Sequence, residues 1–240
     1  MRIWVARPEP GASRTGERLA ALGHDPMVAP VLTVATRTQP PPAGPFAGIL
    51  LTSANAVPVL AALLAQRPAH DTLVFAVGSI TAAAAARAGA AVRDANGDAA
   101  GLARLVQATL APGSTVLHLA GAERKREPAA TLVAAGYRVA TFVAYEALAA
   151  AALPAAVAGA LDETDAETRL HAALHYSRRS AATALDLAAA AGRGGAFAAL
   201  RHYCLSADVA EPLVAAGIEV HFVPTRPSED ALLAGLGARA

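Results

Sequence analysis

The chain has 240 residues, 55% of them hydrophobic and 16% charged, which is enough for one large domain or two modest ones whose core needs neither disulfides nor a metal. Transmembrane helices are excluded, because a span needs about 18 consecutive apolar residues and the Ala-rich runs here are broken by Arg, Gly or Pro. A net charge of +1 argues against a dedicated nucleic-acid binder, which ordinarily carries a basic excess.

The start of the chain, Met1 to Arg7, sets a short apolar run between two arginines, too short for a secretory segment, so a cytoplasmic location is expected. A strand is predicted at Arg2–Ala6, a turn at Arg7–Gly11, a helix from near Ser13 to Gly23 and a strand at Pro26–Pro30. Thr33–Gln39 alternates like a strand and runs into Pro40, Pro41 and Pro42, which no central strand holds. Gly48–Ser53, Leu73–Val77 and Val116–Leu119 read as strands, each followed by a helix, the last two helices ending at Gly89 and Gly136. Arg138–Tyr145 is extended and precedes the low-complexity Ala147–Ala152 and Pro154. Ala172–Ser177 and His202–Leu205 are strands before helices, the second helix closing at Gly217, and Val220–Val223 is a further strand. Such alternation is the signature of α/β layering around a mainly parallel sheet. Cys204, the only cysteine, lies in an apolar run and reads as a small buried hydrophobe.

Leu-Val-Ala-Ala-Gly occurs at 132–136 and again at 213–217, each time placing Gly where a helix ends in the left-handed conformation. Ser53 and Ser177 both stand between an apolar strand and a helix. These matches predict two similar domains. With both extended segments as linkers, the first domain comprises residues 1–34 and 149–240, the second is an insertion of 39–143, and the linkers are 33–39 and 142–149. Two such connections would make a hinge with a cleft between lobes.

The chain has no HExxH, CxxC, GxxxxGK or GxSxG pattern, so zinc proteolysis, thiol redox chemistry, P-loop hydrolysis and the α/β-hydrolase elbow lose their main support. Lys125 is the only lysine, with no Gly-rich loop before it. His171 and His175 fall on or beside a strand, where packing is expected rather than metal binding, and Gly192–Gly195 lacks the preceding strand of a dinucleotide site. Four polar junctions remain: Thr52–Asn55, Gly78–Thr81, Gly121–Arg124 and Ser177–Ser180. Each falls where a strand's carboxyl end is expected to meet a helix start, the edge at which open α/β sheets hold anionic ligands. Any one of them alone is ordinary N-capping.

The ordered set Arg7-Pro-Glu-Pro-Gly11, Leu51-Thr-Ser-Ala-Asn-Ala-Val57, Ala76-Val-Gly-Ser-Ile-Thr-Ala82, Gly121-Ala-Glu-Arg-Lys125, Val143-Ala-Tyr145 and Tyr176-Ser177 resembles the uroporphyrinogen-III synthase family over essentially the whole chain. The resemblance implies an α/β protein of two similar parallel-sheet lobes joined by a two-stranded linker, with the active-site cleft between them. It implies a substrate, hydroxymethylbilane, whose last pyrrole ring is inverted as the macrocycle closes and water leaves, through an azafulvene and a spiro-pyrrolenine, with no cofactor and no metal. Tyr145, which by spacing alone reads as a packed aromatic, matches the family's tyrosine and is implied as donor to the departing hydroxyl. Thr52, Ser53, Ser79, Thr81, Ser177 and Ser206 are implied as carboxylate-binding residues, with Arg7, Arg124 and Lys125 supplying charge. Also implied are a monomer, a transient handover from hydroxymethylbilane synthase, and neither a nucleic-acid nor a membrane partner. One junction departs from the family pattern: Leu205-Ser-Ala-Asp-Val209 puts a valine where a hydroxyl is expected and adds the negative charge of Asp208. The competing readings are a two-lobed small-molecule binding protein without turnover and a nucleotide-sugar transferase, and neither explains the ordered motifs.

Overall fold

The computed structural model describes residues 1–66 and 73–237. In chain order its elements are β1 (Arg2–Val5), α1 (Gly11–Ala21), β2 (Asp25–Val28), β3 (Leu32–Thr36), β4 (Gly48–Leu51), α2 (Val57–Ala65), β5 (Leu73–Ala76), α3 (Ser79–Arg87), β6 (Val92–Asp94), α4 (Ala99–Thr109), β7 (Thr115–Gly121), α5 (Ala129–Ala134), β8 (Arg138–Ala149), α6 (Ala155–Asp162), β9 (Ala172–His175), α7 (Arg178–Ala190), α8 (Gly194–Ala198), β10 (Arg201–Cys204), α9 (Ala207–Ala215) and α10 (Glu229–Ala234). The chain divides into two compact units, one of Met1–Thr33 with Leu148–Ala240 and one of Val34–Ala147. No helix among the described residues is long and apolar enough to cross a membrane.

The first unit is built on a sheet of order β10-β9-β1-β2, paired in parallel throughout these contacts. Strand β9 is buried along its whole length, the continuous burial of a parallel strand covered on both faces. Ile3, Val5, Leu19, Leu174 and Leu232 form the core on one face. Trp4 points to the other, edge-on to Phe197 at 6.1 Å, with its indole N–H donating to the Ala29 carbonyl at 2.8 Å.

The second unit carries a sheet of order β3-β8-β7-β4-β5-β6, with parallel registers from β8 through β6. Side chains alternate between faces. Ile49, Leu51, Leu117 and Leu119 pack with Val59, Leu60 and Leu63 of α2, while Leu50 and Val116 pack with Leu102, Val106 and Leu132 of α4 and α5.

The repeated Leu-Val-Ala-Ala-Gly does the same job twice. Gly136 and Gly217 have φ of 84° and 74°, and the N–H groups of Tyr137 and Ile218 donate to Leu132 and Leu213 at 3.0 and 2.9 Å, the Schellman closure that a left-handed glycine permits. Three local readings differ from the structure. Helix α1 opens at Gly11 rather than near Ser13. Val220–Val223 contributes one parallel bridge, between Phe222 and Tyr203, and no full strand. The segment after β7 does not enter a helix at once: residues 122–127 are an exposed loop and α5 begins only after Pro128, because proline has no N–H to donate and fits the first turn but not a helix interior.

Candidate functional site

In the second unit the carboxyl ends of the parallel strands bring the predicted polar residues to one edge. Thr52 and Ser53 follow β4, Ser79 follows β5, and Tyr145 on β8 stands in register with Gly121 at the end of β7. The register shifts between Ala120 and Gly121, a bulge of the kind that re-aims a side chain, and the Ala122 N–H donates to the Tyr145 carbonyl at 2.8 Å. The Tyr145 ring lies on Gly121: a Cβ built there would sit 2.9 Å from Cζ and 3.0 Å from the phenol oxygen. The half-buried ring also packs against the α2-side core.

Thr52 Oγ1 is 3.4 Å from Nε2 of His118, a histidine only 2% exposed. Burial, aided by the charge of Arg124, lowers the His118 pKa to about 4, so the hydroxyl meets a neutral imidazole at neutral pH. Ser53 accepts the Asn55 N–H at 3.2 Å. Ser79, the first residue of α3, is exposed, while Thr81 in the same turn is buried. Arg124 and Lys125 stand on the exposed loop, Arg124 donating to the Ala122 carbonyl at 3.3 Å. With Arg126, Thr141 and His118 they line a depression of about 650 Å³.

In the first unit the carboxyl edge carries Arg7 after β1, Ser177 after β9 and Ser206 after β10. Ser177 accepts the Ser180 N–H at 3.1 Å and Ser206 the Val209 N–H at 3.4 Å, so both cap helices. Arg7 is engaged within the chain: its guanidinium lies 4.0 Å over the Tyr176 ring and donates to Glu229 Oε1 at 3.2 Å and Thr15 Oγ1 at 3.4 Å. The same Glu229 oxygen accepts from Thr15 at 2.5 Å and Tyr176 at 2.9 Å, and its other oxygen from Arg18 at 3.0 Å. Burial works to raise the Glu229 pKa, but these donors and cations outweigh it and hold the carboxyl below its usual range. Burial pushes the Tyr176 phenol upward, so it stays protonated and donates.

Thr15, Arg18 and Glu229 escaped the sequence reading. Glu229 lies 222 positions from Arg7, and no local pattern signals that distance. His118 escaped it too, reading only as a polar residue in a strand. The departure at Val209 has a structural explanation: the side chain is 4% exposed and fills the core beneath α9, whereas Asp208 is exposed in the first turn of that helix, where a negative charge suits the dipole. Among the described residues no group of three or more His, Cys, Asp or Glu is arranged to hold a metal ion.

A family model described as uroporphyrinogen-III synthase HemD matches residues 13–234. The uroporphyrinogen-III synthetase of Helicobacter pylori 26695 superposes with a TM-score of 0.66 at 17% identity, over 97% of this chain and 96% of that one. A mutant uroporphyrinogen III synthase from the extremely thermophilic bacterium Thermus thermophilus gives a TM-score of 0.55 at 16% identity, over 98% and 96%. At such identities the two structures establish the fold. Comparison with curated protein sequences gives no match.

Proposed function

Since the chain belongs to the uroporphyrinogen-III synthase family, the cyclising lyases that act on hydroxymethylbilane in tetrapyrrole biosynthesis, we propose that Tyr145 is its proton donor and that the polar strand ends of both units hold the substrate's carboxylates. The observation that carries this reading is the Tyr145 ring lying on Gly121 at the bulged end of β7 and β8.

The electron-rich pyrrole expels the hydroxymethyl oxygen once that oxygen accepts a hydrogen bond or proton, so a phenol O–H suffices as general acid. Water leaves, the azafulvene carbon is attacked, and the spiro-pyrrolenine rearranges to the inverted ring. The rest of the task is to hold one folded conformer of a flexible polyanion, where positioning supplies most of the acceleration. The N–H groups at the helix starts that Ser53, Ser177 and Ser206 cap, and in the first turn at Ser79 and Thr81, are suited to carboxylates. Thr52 adds a hydroxyl tied to His118, and Arg7, Arg124 and Lys125 add positive charge. This chemistry calls for no metal or organic cofactor. We further assign the protein a monomeric state, a cytoplasmic location and a transient handover from hydroxymethylbilane synthase, since free hydroxymethylbilane closes unaided to the type I isomer.

The test is to add the protein to freshly generated hydroxymethylbilane, oxidise the products and separate the porphyrin isomers. Wild-type protein yields mainly type III, and Tyr145→Phe is expected to slow its formation by about tenfold or more with an unchanged circular dichroism spectrum. Wild-type rates from a folded Tyr145→Phe variant would remove the phenol from the mechanism.

A further inference from the structure

The amino edge of the first unit's sheet, opposite the edge that carries Arg7, Ser177 and Ser206, holds a cavity of about 400 Å³. Its floor is apolar: Leu161, Leu170 and Leu200 line it and are 8%, 4% and 5% exposed. Arg169 and Arg201 line it as well, and neither guanidinium has a hydrogen-bond or ion-pair partner among the described residues.

One wall is fixed before any ligand arrives. His171 Nδ1 accepts the Arg2 backbone N–H at 3.0 Å, so the ring proton resides on Nε2 and is donated to the Ala166 carbonyl at 2.9 Å. Arg2 Nη1 donates to the Thr168 carbonyl at 2.6 Å, the Glu167 N–H to Asp165 at 2.7 Å, and the Leu170 N–H to the Ala160 carbonyl at 3.2 Å. Preorganisation of this kind lowers the cost of binding. Both ring nitrogens of His171 are already used, which leaves ligand reading to the two arginines.

We propose that this cavity is a second binding site, for a small organic monoanion: one carboxylate on a flat apolar body of one or two rings. The lining side chains favour a monoanion, because Arg169 and Arg201 are offset only by Glu163, which also lines the cavity. The lining favours an apolar body over a bare inorganic anion, because Met1, Ala196 and Ala199 leave apolar surface open beside the leucine floor. The size excludes a tetrapyrrole, since about 150 Å³ of apolar cavity already holds one benzene. The site is independent of the residues assigned to turnover, so its occupancy is measurable without catalysis.

The experiment is calorimetric titration of the full chain with sodium benzoate, with benzamide and inorganic phosphate as controls. Benzoate is expected to saturate with a Kd below about 5 mM, and both controls to bind at least about tenfold more weakly, one lacking the charge and the other the apolar body. Arg169→Ala and Arg201→Ala should each weaken benzoate about tenfold, and Ala196→Phe, which fills the cavity from an exposed lining position, should abolish binding. All three variants should retain the wild-type rate of type III isomer formation. Absence of benzoate binding to the wild-type chain, equal binding by the arginine variants, or equal binding of phosphate would each overturn the proposal.

Discussion

Gly121 is constrained by its neighbour rather than by its own backbone: its φ is not among the positive values, but a Cβ would strike the Tyr145 ring at 2.9 Å. Real Cβ atoms do not approach so closely, and the ring is partly held by the core beneath it, so an added methyl must turn the phenol away. We therefore expect Gly121→Ala to cost about 1–3 kcal/mol of stability and to reduce type III isomer formation well beyond that loss of folded protein. The measurement is initial rate per folded molecule, with urea unfolding in parallel. Unchanged turnover would mean that the phenol's position does not matter. The sequence showed Tyr145 through its motif and its place on an extended segment, but not its seat on Gly121, because a strand register that pairs positions 24 apart leaves no trace in local periodicity. His118 is the same case: its partner Thr52 stands on another strand, and only the sheet order brings them together.

At the level of elements, local chemistry was legible wherever one short segment completes its own hydrogen bonds. The serine caps at Ser53, Ser177 and Ser206 and the glycine closures at Gly136 and Gly217 are of this kind. Helix α4 carried the same signal in Asp98, which accepts the Gly101 N–H at 2.8 Å, although the Ala-rich background hid it. What the sequence could not display is how α10 is fastened. Its first residue, Glu229, meets Arg7, Thr15, Arg18 and Tyr176, and Glu229→Gln should cost about 1–3 kcal/mol by leaving the half-buried Arg7 guanidinium without its charge partner, while Arg18 keeps Asp230. Because the folded-state pKa of Glu229 is lowered, its contribution is present above the ordinary carboxylate range and is lost as pH falls through and below that range. A second acid-sensitive device lies in the core of the first unit. His202 Nε2 donates to the Phe197 carbonyl at 3.0 Å, so its Nδ1 accepts, at 3.0 Å, the proton on Nε2 of His175. Burial lowers these two pKa values to about 4 for His202 and about 3 for His175, from 6.5. The unfolded chain thus binds more protons below pH 6.5, and the pair's contribution, complete above that pH, declines toward pH 4 and below. The two devices separate experimentally. Between about pH 6 and 4.5 the slope of unfolding free energy against pH should fall by about one proton, or ~1.4 kcal/mol per pH unit at most, in His175→Gln, and should be nearly unchanged in Glu229→Gln. Equal slopes in wild type and His175→Gln would show that the pair is not held neutral by burial.

At the scale of the molecule, the second unit interrupts the first in sequence, and each unit has a backbone hydrogen bond that joins its own two chain segments at the interruption. The Ala150 N–H donates to the Val31 carbonyl at 2.9 Å, so the first unit's chain leaves and re-enters at adjacent points. The Arg37 N–H donates to the Ala144 carbonyl at 2.8 Å, which brings the ends of the second unit together in the same way. The two clusters that flank the six-stranded sheet draw only on the second unit, and the cluster around Ile3, Leu174 and Leu232 only on the first. The expectation of an inserted domain rests on the proline-rich break around Pro40, the low-complexity stretch before Pro154 and the repeated helix endings. The strand orders, four strands in one unit and six in the other, were not legible, since short apolar runs announce a strand but not its neighbours. Closure within each unit has a measurable consequence. Residues 34–147 expressed alone should fold cooperatively, and so should the first unit with 34–147 replaced by a short Gly-Ser turn, because a loop that joins adjacent ends costs little entropy. Each fragment should give one sigmoidal urea transition and an α/β circular dichroism spectrum. Neither should form the type III isomer, because, of the residues proposed for the reaction, Tyr145, Thr52 and Ser79 reside in one fragment and Arg7, Ser177 and Ser206 in the other. A fragment that unfolds without cooperativity would mean that its core depends on the other unit, and type III formation by residues 34–147 alone would confine the whole reaction to the edge that Tyr145 and Gly121 share.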